Sequence, residues 1–366
     1  MRVRNVLIAA AAGSVAAGAV AGVGAVLLGR AIWKGFREIS LRGKIALVTG
    51  SSRGLGLAMA QELAREGARL VICARDEAEL RWAQEELQAI GAEVLAVPCD
   101  VGDREQVRKM FEQIRARYGA LDVLINNAGV IQVGPLHSQT IEDFEEAMRV
   151  MFWGLVYPTL EAIRDMRAMG SGHIANITSI GGRIAVPHLV PYSAAKFAAI
   201  GFSEGIHAEL AKDGITVTTV VPGLMRTGSH VNARYKGDHR KEYAWFSLGA
   251  STPVTAMSAH RAARCVITAV KRGRSSVTLS PQAKLAALAH GIAPGLVSDA
   301  LGMVNRIMPG SRSTSTEGFT GKESRSVVSE SFATKLGRDA AEELHQNPEQ
   351  RRTDNATSGP EALLAD

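Results

Sequence analysis

The sequence predicts an α/β fold built on a doubly wound parallel sheet, and three observations support that prediction. From Lys44 onward, short apolar runs alternate with longer stretches of helical character. The runs lack the polar–apolar alternation of half-exposed strands, as expected for strands buried on both faces of a sheet. A glycine-rich turn connects the first run to the first helical stretch. The chain has 366 residues, which fits one large domain with appendages or two small domains.

The predicted elements follow one another in strand–helix order. The predicted strands are Ile45–Thr49, Arg69–Cys73, Glu93–Val97, Val123–Ile125, His173–Thr178, Thr216–Val221 and Ser276–Leu279. The helices predicted between them are Leu57–Glu66, Asp76–Ile90, Arg104–Tyr118, Ile141–Met169 and Tyr192–Lys212. This order predicts a single α/β domain at residues 41–280.

The composition argues against several classes of protein. Hydrophobic residues make up 46% of the chain and charged residues 21%, which is too apolar for a wholly disordered chain. The chain has 3 cysteines, far apart and without a CxxC pair, so neither a disulfide framework nor a metal site is predicted. This cysteine usage favours a reducing compartment. The net charge of +6 comes from scattered basic residues, so no nucleic-acid partner is predicted.

The first forty residues differ in composition from the α/β domain. Residues 6–29 carry no charged side chain and are long enough to cross a bilayer as a helix. Alanine and glycine dominate the segment and make insertion marginal, so a cleaved signal peptide and a soluble or surface-lying helix stay open as alternatives. Basic residues are more frequent after the segment than before it. We therefore predict a transmembrane anchor within residues 1–40, with the α/β domain on the cytoplasmic side of the membrane.

The strand–helix alternation ends after Ser280. Residues 281–309 predict amphipathic C-terminal helices, broken at Pro294–Gly295, with apolar side chains along one side. A packed helix pair is one interpretation, and a flap, a dimer contact or a membrane-resting surface is the other. Residues 310–366 are rich in Ser, Thr, Glu and Arg and poor in large apolar residues, so we predict that they are mostly disordered.

A glycine-rich loop follows the first predicted strand and opens the first predicted helix. It reads Thr49-Gly50-Ser51-Ser52-Arg53-Gly54-Leu55-Gly56. Glycines here allow a tight turn and let backbone N–H groups approach a diphosphate at the helix N-terminus. Because the loop lies within a βαβ unit, it predicts a dinucleotide-binding Rossmann fold rather than an ordinary glycine turn.

The end of the second predicted strand indicates which dinucleotide is bound. An NAD site usually has an acidic residue about 20 residues beyond the loop, where it holds the ribose 2′-hydroxyl. This chain has Cys73-Ala74-Arg75 there instead. Arg75, together with Arg53 in the loop, supplies cations suited to a 2′-phosphate. The sequence therefore predicts NADP as the cofactor, although Asp76 is near enough to leave NAD open.

Tyr192 and Lys196 form the candidate proton-transfer pair. They lie four residues apart at the start of a predicted helix, so their side chains share one face. A tyrosine phenol is a poor base at neutral pH, but a nearby ammonium and the positive nicotinamide would lower its pKa. Tyr192 then takes the proton from an alcohol, or donates it in the reducing direction. Ser179, just past the fifth predicted strand, is placed to hydrogen-bond the substrate oxygen.

Together these motifs resemble the short-chain dehydrogenase/reductase family over about residues 41–280. The matching positions are TGSSRGLG at 49–56, Asn126-Asn127-Ala128-Gly129, Ser179, Tyr192-Ser193-Ala194-Ala195-Lys196 and Pro222-Gly223. The resemblance implies an oxidoreductase of the NADP-preferring type, in which Ser179, Tyr192 and Lys196 are the catalytic residues.

The resemblance also implies which residues bind the cofactor. Lys196 is expected to hold the nicotinamide ribose, Asp100 to contact the adenine, and Thr227 to meet the nicotinamide carboxamide. The full predicted set is Gly50, Ser52, Arg53, Gly54, Leu55, Gly56, Arg75, Asp100, Val101, Asn127, Ala128, Gly129, Tyr192, Lys196, Pro222, Gly223 and Thr227. Asn127 and Gly129 serve equally well as stabilisers of the sheet edge.

One position departs from the family pattern. The family usually has a helical Asn a few residues before a glycine such as Gly154, where it holds a water beside the lysine. This chain has Met151 at that place, and a thioether accepts hydrogen bonds only weakly and donates none. A catalytically inactive dinucleotide-binding membrane protein, acting as scaffold or sensor, is therefore the alternative function.

Apolar residues after Gly223 suggest the substrate class. Leu224, Met225, Tyr243, Trp245 and Phe246 lie where the family builds its substrate lid. They predict a hydrophobic carbonyl or alcohol substrate, such as a lipid, steroid, retinoid or fatty-acyl derivative, unless they only pack the lid shut. The predicted partners are this small molecule and the membrane, and a homo-oligomer stays open.

Overall fold

A seven-stranded parallel sheet forms the centre of the protein. The computed structural model describes residues 38–310 and 315–346. The sheet strands are β1 (Ile45–Thr49), β2 (Arg69–Ala74), β3 (Val94–Pro98), β4 (Val123–Asn126), β6 (Gly172–Ile177), β7 (Ile215–Val221) and β11 (Ser276–Thr278). Their spatial order is β3-β2-β1-β4-β6-β7-β11. Strands β2 and β3 lie on one side of β1, whereas the later strands, from β4 on, lie on its other side. Doubly wound folds bind ligands at such a switch in strand order.

Helices lie on both faces of the sheet and at its carboxyl edge. They are α1 (Gly54–Arg65), α2 (Glu77–Ala89), α3 (Arg104–Tyr118), α4 (Ile141–Met148), α5 (Gly154–Met169), α6 (Val190–Leu210), α7 (His239–Ser251) and α8 (Ala259–Lys271). Helices α1, α2 and α8 bury their apolar residues in one core cluster. Helices α3, α5 and α6 contribute to a second cluster on the opposite face. The predicted Rossmann-like α/β fold is therefore confirmed.

The predicted strands agree with the observed ones to within one residue at each end. Strand β1 pairs in parallel with both β2 and β4, so the carboxyl ends of these strands meet at one edge of the sheet. Strand β4 also pairs with β6, and β6 with β7. The loops that carry the predicted motifs all leave from this edge, which brings residues distant in the sequence together.

The helix predicted over Ile141–Met169 is interrupted in the structure. Helix α4 ends at Met148, Arg149–Trp153 form a π-helical turn, and α5 begins at Gly154. Pro158 lies inside α5 and has no N–H to donate to the carbonyl of residue 154, so one α-helical hydrogen bond is missing next to the π-helical turn. The prediction of one continuous helix was wrong here.

Residues 224–258, which we call the lid, follow β7. They contain the short strands β8 (Leu224–Arg226), β9 (Arg234–Tyr235) and β10 (Ala256–Ser258) and helix α7. Strand β8 pairs with β10, while β9 pairs with β5 (Gln132–Val133) and with β12 (Phe319–Thr320). The lid therefore lies over the carboxyl edge of the sheet and is tied to two other parts of the chain.

The chain after Ser280 continues as two helices that project from the body. Helices α9 (Pro281–Ile292) and α10 (Pro294–Asn305) form what we call the helical hairpin. Ala283 is its one buried residue. The helices form as predicted and break at Pro294, but the apolar stripe does not pack against the domain. Its large side chains stand exposed: Leu285, Leu288, Ile292, Leu296, Met303 and Val304.

Residues 315–346, which we call the C-terminal segment, differ from the disordered tail that composition predicts. Strand β12 pairs with the lid, and α11 (Lys335–Glu343) packs against it. Small side chains allow this contact, since a Cβ on Gly337 would lie 2.1 Å from Ser251 Oγ. Residues 311–314 and 347–366 of the predicted tail lie outside the described residues.

The predicted membrane anchor also lies outside the described residues, which begin at Glu38. Within residues 38–310 and 315–346, no helix has the length and apolarity needed to cross a bilayer.

Candidate active site

A cavity of about 830 Å³ opens at the carboxyl edge of the sheet. It runs from the glycine loop, past the loops after β2, β3 and β4, to Tyr192 and the lid. The predicted residues that line it are Gly50, Ser52, Arg53, Gly54, Leu55, Arg75, Asp100, Val101, Asn127, Ala128, Gly129, Tyr192, Lys196 and Thr227. Gly56, Ser179, Pro222 and Gly223 do not line it. Gly56 packs against the Gly50 carbonyl and Ser179 hydrogen-bonds with Tyr192, so both lie next to residues that do.

The shape of the glycine loop leaves no room for a side chain at Gly50 or at Gly56. Gly50 has a φ of +62°, and a Cβ there would lie 2.8 Å from the Cα of Ala128. A Cβ on Gly56 would lie 2.1 Å from the Gly50 carbonyl oxygen. Asn127 Nδ2 donates to the carbonyls of Thr49 and Gly50, each at 3.0 Å. The predicted stabilising role of Asn127 is therefore visible, and the loop leaves its backbone open to the cavity.

Tyr192 and Lys196 both lie in the first turns of α6. Pro191 occupies the first turn, which suits its missing N–H and its fixed φ. Lys196 is buried, and its Nζ donates to the Ile177 carbonyl at 2.9 Å and lies 5.9 Å from the centre of the Tyr192 ring. Ser179 Oγ hydrogen-bonds with the Tyr192 side chain and accepts from Gly181 N at 3.0 Å. The structure thus brings together the three residues that were predicted to be catalytic.

Burial decides the protonation of this pair. It raises the pKa of Tyr192, and the hydrogen bond with Ser179 offsets only part of the increase. Burial also lowers the pKa of Lys196 to about 8. The lowered pKa expected for Tyr192 from the sequence includes the positive charge of a bound nicotinamide, so it stays a prediction. A protonated phenol is suited to donating a proton to a carbonyl.

Met151 lies in the π-helical turn and faces the cavity. Its side chain is buried with Val150, Ala147 and Ala195, and Tyr192 packs against this group. The nearest Met151 atoms lie 3.7–3.8 Å from where a Cβ on Gly129 would be. The thioether therefore supplies an apolar wall beside Tyr192, where the family usually has an amide.

Arg53 is held by a carboxylate that sequence reasoning missed. Its Nη1 lies 2.8 Å from Glu79 Oε1, and Ser52 Oγ donates to Glu79 Oε2 at 3.1 Å. Glu79 occupies the first turn of α2, where a glutamate ordinarily signals only helix capping. Asp76 is the N-cap of that helix and accepts from Glu79 N at 2.9 Å. Arg75 is exposed at the cavity rim.

Asp100 and Val101 lie at the end of the cavity nearest to β3. Asp100 Oδ1 accepts from Gly102 N at 2.9 Å, while Oδ2 accepts from Arg149 Nη1 at 2.8 Å. Val101 is buried and fits against Gly154, where a Cβ would lie 2.7 Å from Val101 Cγ2. Asp100 is therefore oriented by two donors, and its predicted contact with adenine stays a prediction.

The Pro222–Gly223 motif connects the sheet to the hairpin and the lid. The Pro222 carbonyl accepts from Ile180 N at 2.7 Å, next to Ser179. A Cβ on Gly223 would lie 2.7 Å from Ser280 Oγ. Thr227, further along, lines the cavity, and its carbonyl oxygen accepts from Gln346 Nε2 at 3.1 Å. Gln346 belongs to the C-terminal segment, where no motif signalled a site residue.

The aromatic lid residues do not line the cavity. Tyr243 and Phe246 are buried in a cluster with Tyr235, and Trp245 packs against it. They pack the lid shut, which was the second of the two sequence interpretations. The cavity wall beside the lid instead includes Gln132, Glu146 and Arg234, which no motif marked. Gln132 Nε2 donates to Glu146 Oε2 at 2.9 Å, and Arg234 Nη1 lies 3.5 Å from the same oxygen.

Comparisons with known proteins agree with this geometry. A family model described as short chain dehydrogenase matches residues 44–237. The chain is 34% identical over 248 residues to SadH of Mycobacterium tuberculosis, a protein named as a putative oxidoreductase. The match covers 67% of this chain and 89% of SadH.

Two solved structures add to the comparison. One is an actinorhodin polyketide ketoreductase with NADPH, at 29% identity and a TM-score of 0.58, covering 65% of this chain and 95% of that one. The other is gluconate 5-dehydrogenase from Burkholderia cenocepacia in complex with NADP and tartrate. Its identity is 29% and its TM-score 0.60, and the match covers 69% of this chain and 98% of that one.

Proposed function

Since this chain belongs to the short-chain dehydrogenase/reductase family, we propose that it interconverts a secondary alcohol and a carbonyl with NADP(H). That it is an oxidoreductase acting on CH–OH groups follows from the family itself. The observation that carries the proposal is that Tyr192, Lys196 and the glycine loop line one continuous cavity. A dinucleotide lying along this cavity would reach from the loop to the phenol.

The residues present fit a nicotinamide dinucleotide. Gly50, Ser52 and Gly54 line the cavity at the N-terminus of α1, where anionic phosphates are favoured. The cofactor, when bound, supplies or accepts the hydride. Tyr192 donates a proton to the carbonyl oxygen in reduction, and takes it back in oxidation. Lys196 holds the nicotinamide ribose and favours the phenolate, while Ser179 aligns the substrate oxygen.

The preference for NADP rests mainly on Arg75. Arg75 stands at the cavity rim, and Ala74, which also lines the cavity, offers no carboxylate to a ribose 2′-hydroxyl. Asp76 is engaged as the N-cap of α2, which weakens the case for NAD. Arg53 contributes less than its charge suggests, because Glu79 neutralises it. The two related structures that contain NADP or NADPH support the same preference.

The proposed substrate is a hydrophobic carbonyl or alcohol, such as a lipid, steroid, retinoid or fatty-acyl derivative. Val130, Ile131, Met151 and Met225 give the catalytic end of the cavity an apolar wall. The Glu146–Arg234 pair nearby would face a polar group of such a molecule. The likeness to a polyketide ketoreductase supports a fatty-acyl or related ketone.

A panel of ketones and alcohols, assayed with the purified protein by NADPH absorbance, tests the activity. We expect a ketone of medium or long chain to be reduced, with KM falling as the chain lengthens. Tyr192→Phe should reduce kcat by about 10²–10⁴-fold, because it removes the proton donor. The dissociation constant of NADPH should stay unchanged in this variant. Turnover that survives Tyr192→Phe would contradict the assigned proton donor.

A second function is favoured by one observation, the burial of Met151 beside Tyr192. Without the usual amide, the chain would bind the dinucleotide without turnover and act as a scaffold or sensor. Tight NADPH binding with no turnover of any carbonyl or alcohol in the panel would establish this alternative. We favour the enzyme, because the groups that touch the reacting atoms are all present.

We also propose that the protein is attached to a membrane, with its catalytic domain in the cytoplasm. The support is the uncharged segment at residues 6–29, followed by basic residues. The helical hairpin adds a second apolar surface, on which Leu285 is 69% exposed and Ile292 75%. Soluble monomers rarely expose a contiguous apolar patch of this kind.

A homo-oligomer is proposed on a separate surface. Trp153 in the π-helical turn is 45% exposed, Leu160 on α5 is 53% exposed, and Phe197 on α6 is 42% exposed. A second copy of the chain would cover such a face in an isologous contact. Light scattering on the detergent-solubilised protein tests this, with Leu160→Glu expected to shift it toward the monomer.

A further inference from the structure

The C-terminal segment crosses the cofactor cleft next to the glycine loop. The carbonyl oxygen of Leu344 accepts from Gly54 N at 2.8 Å. Leu344 is buried in the same core cluster as Leu55 and Leu57. Gly54 is the first residue of α1, so the segment is attached at the helix end where anionic groups are favoured. The last described residues are therefore part of the wall of the dinucleotide site.

Gln346 bridges the two walls of the cleft. Its Nε2 lies 2.7 Å from where a Cβ on Gly54 would be, and donates to the Thr227 carbonyl on the opposite wall at 3.1 Å. Asn232 Nδ2 donates both to the Gln346 backbone oxygen at 2.9 Å and to its Oε1 at 2.7 Å. Since Asn232 holds the amide oxygen, the amide NH₂ group is the end turned toward the glycine loop and Thr227. Gln346 is only 3% exposed yet lines the cavity.

Contacts on both sides hold the segment in this position. His345 Nε2 lies 2.6 Å from Glu86 Oε2 on α2, and His260 Nε2 lies 2.9 Å from Glu343 Oε1. At Gly228, whose φ is +70°, a Cβ would lie 2.4 Å from the Cα of Ala341. The glycine thus permits close approach of α11 to the residue that follows Thr227. These contacts attach the segment to α2, α8 and the lid at once.

We propose that residues 344–346 form a latch over the dinucleotide, in which the Gln346 side-chain amide is a cofactor-positioning donor toward the diphosphate. The latch rests on the proposed dinucleotide-dependent function and adds a binding residue outside residues 41–280. A neutral amide beside an anionic diphosphate provides a charge-assisted hydrogen bond. The segment must move for the cofactor to exchange, so the latch slows cofactor release. Because NADPH and NADH share the diphosphate, Gln346 affects both equally, unlike Arg75.

Substitutions of Gln346 in the full chain test the latch. Gln346→Ala removes the donor, and Gln346→Glu places a carboxylate beside the diphosphate. We expect Gln346→Ala to raise the dissociation constants of NADPH and NADH by the same factor, about tenfold, mostly through faster release. Gln346→Glu should raise them further. The KM for the cofactor should rise in both variants, because each loses the hydrogen bond from the amide to the diphosphate.

Gln113→Glu is the matched control, because it makes the same charge change at an exposed position on α3. Hydrogen exchange of residues 335–346 gives an independent readout, and NADPH should slow it. Unchanged affinity in both Gln346 variants would overturn the latch. Tighter binding in them, with faster exchange on adding NADPH, would overturn it as well and show a segment that competes with the cofactor. Wild-type protein that binds neither dinucleotide would instead refute the proposed function.

Discussion

At the scale of single residues, the pairing of Arg53 with Glu79 changes how the cofactor preference is understood. An arginine in the glycine loop suggests a site for a 2′-phosphate, but its charge is already compensated by a carboxylate that is 9% exposed. Arg75 has no comparable contact with a carboxylate among the described residues. A 2′-phosphate near both arginines must therefore share Arg53 with Glu79.

Exchanging these charges should move the preference in opposite directions. Arg75→Asp should weaken the binding of NADPH by about tenfold to a hundredfold relative to that of NADH, because it replaces attraction of the 2′-phosphate with repulsion. Glu79→Gln should strengthen NADPH relative to NADH, because it releases Arg53. Titration of both cofactors by fluorescence measures each ratio, with exposed Arg108→Asp on α3 as the control. A wild-type protein that binds NADH as tightly as NADPH would contradict the proposal.

The pKa of Lys196 gives carbonyl reduction an expected pH dependence. Burial lowers this pKa to about 8, so the ammonium is present below that pH and lost above it. Burial raises the pKa of Tyr192, which therefore stays protonated through the same range. We expect kcat/KM for reduction to fall as the pH rises above about 8. A profile that stays level to strongly alkaline pH, with NADPH binding measured separately at each pH, would count against this assignment.

At the scale of elements, the sequence predicts the sheet well because its strands are buried on both faces. Such strands, Ile45–Thr49 for example, are short uninterrupted apolar runs that neighbouring turns delimit. The π-helical turn was not predicted, because its flanking helices have ordinary helical periodicity. Pro158 alone does not indicate where such a turn lies. The C-terminal segment was missed for a different reason: it has few large apolar residues, and its contacts depend on close backbone approach at Gly228 and Gly337.

The same difference separates the predictable from the unpredictable part of the site. Tyr192, Lys196 and the glycine loop lie in local motifs with a chemical meaning of their own. Gln346 and Asn232 come together across the fold from segments without such a motif. Glu79 was visible only as a helix residue, because its distance from Arg53 in the sequence hides their contact.

The π-helical turn yields a prediction about proton supply. Met151 stands where an amide would hold a water beside Lys196, so proton exchange with solvent should be slower here than in relatives with that amide. Met151→Asn should leave kcat unchanged or raise it, because the groups that touch the reacting atoms are kept. Met151→Leu is the control for volume and apolarity. A decrease of kcat in Met151→Asn, with cofactor affinity intact, would show that the apolar wall itself serves catalysis.

At the scale of the whole molecule, the two edges of the sheet at the strand ends carry different features. The carboxyl edge carries the cavity, the lid and the base of the hairpin, where Ser280 contacts Gly223. The described chain begins near the opposite edge, where Ile39 N donates to the Lys271 carbonyl at 3.0 Å.

The predicted anchor should keep the full-length protein in the membrane fraction through a carbonate wash. The large aliphatic side chains in residues 6–29 each favour insertion by only about 0.3–0.6 kcal/mol, so the anchor is a weak one. Removing residues 1–37 should release the protein, and it should keep its NADPH affinity. Protease added outside intact cells should leave the catalytic domain uncut. Full-length protein that is recovered wholly in the wash refutes the anchor, and digestion of the domain from outside refutes the orientation.

The helical hairpin should add to that attachment by resting in the lipid interface. Its exposed stripe includes Leu285, Leu288 and Ile292, and burying each large aliphatic residue is worth about 1.5–3 kcal/mol when complete. Basic Lys284 and Arg306 beside the stripe favour anionic lipid headgroups. In protein lacking residues 1–37, Leu285→Glu combined with Ile292→Glu should abolish residual flotation with vesicles that contain anionic lipid. The same exchange at Val327 and Val328, which are 91% and 51% exposed elsewhere on the surface, should have no such effect. The hairpin exchange leaving vesicle flotation unchanged in both the truncated protein and the full chain would contradict this role. If light scattering then shows that the exchange dissociates an oligomer, the stripe is a contact between copies, and the anchor alone attaches the protein to the membrane.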